Sequence, residues 1–200
     1  AEGRMAMLEV VEAVAKKIFI PFAVGGGISS LEQMRSILLA GAEKVSLNSP
    51  SVKNPDLIRQ GSELFGGQCI VLGMDAVQDS SMPSGYRVLI NGGRTETDKD
   101  ALAWALEAEK LGAGEIVLNS VDADGTKAGY ECHLTRMISE AVGIPVVASG
   151  GAGKPEHLAE VLTKGKADAA LVASIVHYDE YSVRDLKEHL QGQSIPVREI

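Results

Sequence analysis

The sequence predicts an α/β fold built on a parallel sheet, from three observations. Short apolar runs alternate with helical patterns along the whole chain. The runs are apolar throughout rather than at every second residue, as strands buried on both faces are. One strand-helix-strand stretch also occurs twice, beginning at Ile20 and again at Ile144.

Met7, Leu8, Val11, Val14 and Ala15 recur at helical spacing, and Ile18 to Val24 is a short strand-like run closed by Gly25, Gly26 and Gly27. A helix with Leu31, Met34 and Leu38 on one face follows, then a strand from Lys44 to Leu47 and a helix opening near Asn54 and Pro55. Further strands are expected at Cys69 to Met74, Glu115 to Leu118, Ile144 to Ala148 and Ala169 to Ala173. They are interleaved with helices at Lys99 to Leu111, Cys132 to Val142, Pro155 to Lys164 and Ser182 to Leu190. Asp79 to Gly85 is polar and turn-rich, and Tyr86 to Asn91 alternates like an exposed strand before Gly92 and Gly93, so a loop hairpin is expected there. The whole reads as six strands and seven helices.

The repeat sets the expected architecture. IPFAVGGGISSLEQMRSILLAGAEKVSLNS and IPVVASGGAGKPEHLAEVLTKGKADAALVAS align with one inserted residue, pairing 20–49 with 144–174. Two further strands lie between the copies, so each copy would open a set of four βα units and the complete fold would be a (β/α)8 TIM barrel of half-barrel repeat type. The chain represents six of the eight strands, and 1–200 is expected to be a single, partial barrel domain. The projected positions of the other two strands fall before residue 1, implying an absent segment of about 50 residues. A six-stranded open sheet is the competing architecture.

Composition narrows the function. A formal charge of −8 and a pI near 5.0 argue against a general nucleic-acid binder. No apolar run approaches the roughly 20 residues of a membrane span. Cys69 and Cys132 lack paired spacing, and His133, His157, His177 and His189 show no ligand spacing, so neither a metal nor a cofactor is expected and a reducing cytoplasm is the expected compartment.

In a parallel barrel the loops after the strands form the active face. Gly25-Gly26-Gly27 and Ser149-Gly150-Gly151 fall there, each paired with the end of the next strand, Asn48-Ser49 and Ser174. Glycine allows close backbone approach and helix starts favour anions, so two phosphate cradles are expected on opposite sides of one mouth. Asp75 closes the apolar run Ile70 to Met74 and is the first catalytic candidate, because a charge leaving a buried strand is costly unless used or paired. Of Asp122 and Asp124, one is expected to form an Asx turn and the other to face the mouth; Asp124 is the second candidate. Tyr178 beside the second cradle is a possible substrate contact, whereas Trp104 and Tyr181 read as helix packing.

The runs PFAVGGGISS, KVSLNSPSVKNP, NGGRTETD, EIVLNSVDADGTKAGYE, IPVVASGGAGKPEH and VHYDEYSVRDLKEHLQGQSIPVR resemble the cyclase subunit family of imidazole glycerol phosphate synthase. The resemblance implies a lyase of histidine biosynthesis in a heterodimer with a glutaminase partner that supplies ammonia. The substrate would be a bis-phosphorylated ribulosyl-formimino carboxamide ribonucleotide, converted to imidazole glycerol phosphate and aminoimidazole carboxamide ribonucleotide. It places the general acid at Asp75 and a mouth carboxylate at Asp124. It places phosphate contacts at Gly26, Gly27, Asn48 and Ser49, and at Gly125, Ser149, Gly150, Gly151 and Ser174. Asn119 stands where relatives often carry threonine. Lys44 and Glu115 match two members of a charged ring that passes ammonia, or a salt bridge sealing the barrel floor. The family's general base and a phosphate-binding lysine would lie upstream of residue 1, so the chain as given is expected to be inactive. The competing functions are the histidine-pathway isomerase and a non-catalytic remnant that binds phosphate or a partner.

Overall fold

The computed structural model of the protein describes residues 2–198, with side chains from residue 8 onward. The chain forms two compact units, Ala1–Gly73 with Glu107–Glu115 and Met74–Leu106 with Ile116–Ile200.

The first unit opens with α1 (Glu2–Ala15), β1 (Ala23–Gly25), α2 (Leu31–Leu39) and β2 (Lys44–Leu47). The short α3 (Ser49–Lys53), α4 (Asp56–Phe65), a 3-10 turn at Gly67–Cys69 and the start of β3 (Ile70–Gln78) follow. β1 pairs with β2 and β2 with β3, both parallel, in the registers Ala23↔Lys44 and Val45↔Ile70. Ser30 starts α2 by accepting the Gln33 N–H through its hydroxyl. Met34 and Ile37 of α2, Ile58 of α4, Val45 and Leu47 of β2, and Ile70 and Leu72 of β3 are buried as the core. Gly61 sets how closely α4 packs: a Cβ there would stand 3.0 Å from Ile70 Cδ1 and 3.1 Å from Met34 Sδ.

The second unit holds the rest of β3, the hairpin β4 (Tyr86–Ile90) and β5 (Thr95–Asp100), the start of α5 (Ala101–Lys110), and β6 (Glu115–Ser120) from Ile116 onward. It continues through α6 (Cys132–Ala141), β7 (Val146–Ser149), α7 (Pro155–Thr163), β8 (Ala169–Ala170), α8 (Ser174–His177) and α9 (Val183–Gly192). Strands β3, β6, β7 and β8 are neighbours in that order, with β6, β7 and β8 paired in parallel. β4 lies antiparallel on the end of β3, Asp75 opposite Leu89. Met74, Val88, Trp104, Ile116, Leu118, Leu134 and Ile138 are buried, and Leu158 and Val161 of α7 cluster with Leu186 and Leu190 of α9. α9 starts with a capping box between Ser182 and Asp185.

This is an α/β fold of parallel strands alternating with helices, the arrangement of TIM-barrel-type chains. Several elements depart from the sequence reading. The strand expected over Ile18 to Val24 is only Ala23–Gly25, because Pro21 has no N–H to donate and, among the described residues, β1 pairs with β2 alone. Phe19 is consequently 96% exposed. β8 shortens to two residues at the end of the parallel order. β3 runs past Asp75 to Gln78, since β4 supplies backbone partners for its last residues. Tyr86, Val88, Leu89 and Ile90 are buried, not exposed, in a strand that is central between β3 and β5. α3 and α8 are single turns with too few residues to show a period.

Candidate active site

In the second unit Asp75 lies within β3, half-buried, with its Oδ1 accepting a hydrogen bond from Asn119 Nδ2 at 3.0 Å. Asn119 is near the end of β6, directly opposite Ser149 of β7. The glycines that follow Ser149 lie flat on the loop after β6. A Cβ on Gly150 (φ +89°) would meet Ser120 O at 2.7 Å and Asn119 Oδ1 at 2.9 Å; one on Gly151 (φ +98°) would meet Gly129 O at 2.0 Å. No L side chain fits either place, and the Gly129 N–H donates to Gly151 O at 2.8 Å to fix the two loops together.

The loop after β6 separates its two aspartates. Asp122 Oδ2 accepts the Gln78 N–H at 2.8 Å and so ties the loop to the end of β3. Asp124 donates its N–H to Ser120 O at 2.9 Å, leaves its carboxylate exposed, and puts its Cα 3.4 Å from the Cβ position of Gly150. Gly125 takes φ +76° with open space around its Cβ position. Asp75, Asn119, Asp124 and Gly150 are therefore neighbours. Ser174 opens α8 half-buried, and Tyr178 is 75% exposed just beyond it.

The first unit holds the other residues. Gly26 (φ +107°) and Gly27 (φ +68°) turn the chain after β1 with nothing within 4 Å of their Cβ positions, so glycine serves conformation there and leaves room above the backbone. Asn48 and Ser49 form the start of α3, where Asn48 O accepts from the Ser51 N–H and hydroxyl. Gly73 of β3 lets the chain pass close to Asn48, whose Cβ is 3.6 Å from the Cβ position of the glycine. At the opposite end of these strands, Lys44 Nζ and Glu115 Oε2 are 2.5 Å apart, with side chains 30% and 19% exposed.

Sequence reasoning missed two contacts. The Asn119 link to Asp75 joins residues 44 apart, and no local pattern marks it. Tyr86 of the hairpin donates its hydroxyl to Glu131 Oε1 at 2.8 Å and stacks on His133. Burial, reinforced by the Glu131 carboxylate, pushes the Tyr86 hydroxyl above the ordinary phenol range. Glu131 also caps α6, accepting from the His133 and Leu134 N–H groups. Among the described residues no group of three or more His, Cys, Asp or Glu is placed to hold a metal, and no helix is long and apolar enough to cross a membrane.

Residues 1–182 match the family model described as histidine biosynthesis protein. The chain is 63% identical to the imidazole glycerol phosphate synthase subunit HisF of Syntrophobacter fumaroxidans, over 99% of the chain and 78% of that protein. It is 62% identical to the subunit HisF of Desulforapulum autotrophicum, over 98% of the chain and 77% of the relative. With the subunit HisF of Nitratidesulfovibrio vulgaris identity is 57%, again over 98% and 77%. The chain belongs to the histidine biosynthesis protein family and, within it, to the cyclase subunits of imidazole glycerol phosphate synthase.

Proposed function

We propose that the chain carries out the ammonia-dependent lyase and cyclisation step on a bis-phosphorylated ribulosyl-formimino carboxamide ribonucleotide. Imidazole glycerol phosphate and aminoimidazole carboxamide ribonucleotide leave as products. The observation that carries this reading is the half-buried Asp75 carboxylate held by Asn119 beside the Gly150 loop. A carboxyl group in that place can donate a proton to the leaving nitrogen, and Asp124 is the second carboxylate within the same cluster. Each glycine cluster serves one substrate phosphate: Gly26 and Gly27 with Asn48 and Ser49, and Gly150 and Gly151 with Gly125, Ser149 and Ser174. Backbone N–H groups that glycines leave uncovered suit anionic oxygens.

A glutaminase subunit is the proposed partner, consistent with the word subunit in the relatives' names. Ammonia from it passes the Lys44–Glu115 pair at the opposite strand ends. A complete eight-stranded barrel is the proposed working form, and the cytoplasm its compartment.

The test measures ammonia-dependent turnover of the ribonucleotide by the chain, alone and together with the glutaminase subunit. Turnover that disappears in Asp75→Asn supports the reading. Turnover that survives Asp75→Asn removes Asp75 from the chemistry, and none under either condition favours a non-catalytic phosphate binder. Turnover of the preceding formimino substrate without ammonia would point to the isomerase instead.

A further inference from the structure

Asn119 stands between the acid and a phosphate loop, and its two polar ends do different things. Its Nδ2 donates to Asp75 Oδ1 at 3.0 Å, and its Oδ1 is 2.9 Å from the place a Cβ on Gly150 would occupy. The ionised carboxylate favours this orientation: turning the amide over would set Oδ1 against a carboxylate oxygen, acceptor against acceptor. The backbone of Asn119 is held in β6 opposite Ser149, so the donor is presented from a rigid strand rather than a loop.

We propose that Asn119 is a positioning residue that aims the Asp75 carboxyl group, and that aiming the acid, not binding substrate phosphate, is its main contribution. The inference rests on the reading of Asp75 as the general acid. An amide N–H can only donate. Oδ1 of Asp75 therefore remains the acceptor in both protonation states, and the proton to be transferred is carried on Oδ2. Oδ1 of Asn119, facing the glycine loop, repels a phosphate oxygen, which leaves the second N–H of Nδ2 as the side chain's one remaining donor.

The test compares Asn119→Ala, Asn119→Thr and Asp75→Asn in the preparation used for turnover. It adds a readout independent of activity, the carboxyl carbon-13 resonance of Asp75, assigned by its loss in Asp75→Asn. With the aim of the acid lost, Asn119→Ala is expected to lower kcat by about 10- to 100-fold with KM changed less than about 3-fold. Asn119→Thr, which keeps a donor on a shorter stem, is expected to fall between the two. The Asp75 resonance is expected to move in Asn119→Ala. An unmoved resonance overturns the proposal, as does a rise in KM at unchanged kcat, which would make Asn119 a phosphate ligand. Full turnover by Asp75→Asn would instead refute the acid assignment, while a moved resonance in Asn119→Ala would still report the contact.

Discussion

Replacing Gly151 with alanine separates two costs that the glycine avoids. Its φ of +98° is a conformation L residues rarely adopt, and the new Cβ would stand 2.0 Å from Gly129 O and 3.1 Å from Ala123 Cβ. The backbone part costs about 1–2 kcal/mol. The steric part, with main chain rather than a yielding side chain in the way, adds roughly 1–3 kcal/mol. Gly125 is the internal control, because it has φ +76° but nothing within 4 Å of its Cβ position. Gly125→Ala should therefore lose only the first part, about 1–2 kcal/mol. Urea unfolding followed by Trp104 fluorescence and by circular dichroism reads both variants, and the midpoint of Gly151→Ala should drop on the order of 1 M. If Gly151→Ala loses no more stability than Gly125→Ala, the two loops do not need the close contact assigned to them.

Three further outcomes are expected. Tyr86→Phe removes a donor from the Glu131 carboxylate, and calorimetry should show a loss of about 1–2 kcal/mol, tempered because water reaches Glu131; no loss would mean the hairpin is held by apolar packing alone. The Asp79 carboxyl, lowered to about 2 by hydrogen bonds from Ser81 and Arg87, ionises more readily folded than unfolded. Its contribution is therefore complete above the ordinary aspartate value and lost as pH falls toward 2, so Asp79→Asn should flatten the acid side of the stability profile below pH 4. An unchanged acid limb would show the Ser81 and Arg87 contacts to be absent in solution. For Lys44 and Glu115, both partly exposed, a double-mutant cycle should give a coupling of up to about 1 kcal/mol that shrinks in high salt, and a salt-independent coupling would show the pair to be drier than its exposure indicates.

Much of the fold was legible because its strands are buried on both faces. β2 and β7 stand where their apolar runs lie, and α4 and α7 begin near Pro55 and Pro155. The hairpin misled for a physical reason: Val88, Leu89 and Ile90 are consecutive and all buried, so the strand has no solvent face, and Arg87 donates to Asp79 and to Thr97 O. β1 was overestimated because apolar character in Ile18 and Phe19 implies burial only where a neighbouring element supplies it. Asp75 and the glycine clusters stand out by residue type and context, and the structure puts Asp75 in β3 and the glycines in the turns after β1 and β7. Of the pair Asp122 and Asp124, Asp122 makes a long-range tie to the Gln78 N–H, a contact between residues 44 apart that no local pattern marks. Asn119 carried no signal for its contact, because strand adjacency brings together residues that a linear pattern keeps apart.

Glu131 accepts from the hairpin hydroxyl of Tyr86 and from the first N–H groups of α6 at once. Opening the hairpin would thus withdraw one of the partners that hold the capping carboxylate in place, and the amides of His133 and Leu134 would exchange with solvent through the same fluctuation. Glu131 thereby links the hairpin to the first turn of α6 although 45 residues separate the linking side chains, and the loop bearing Asp124 runs directly into that turn.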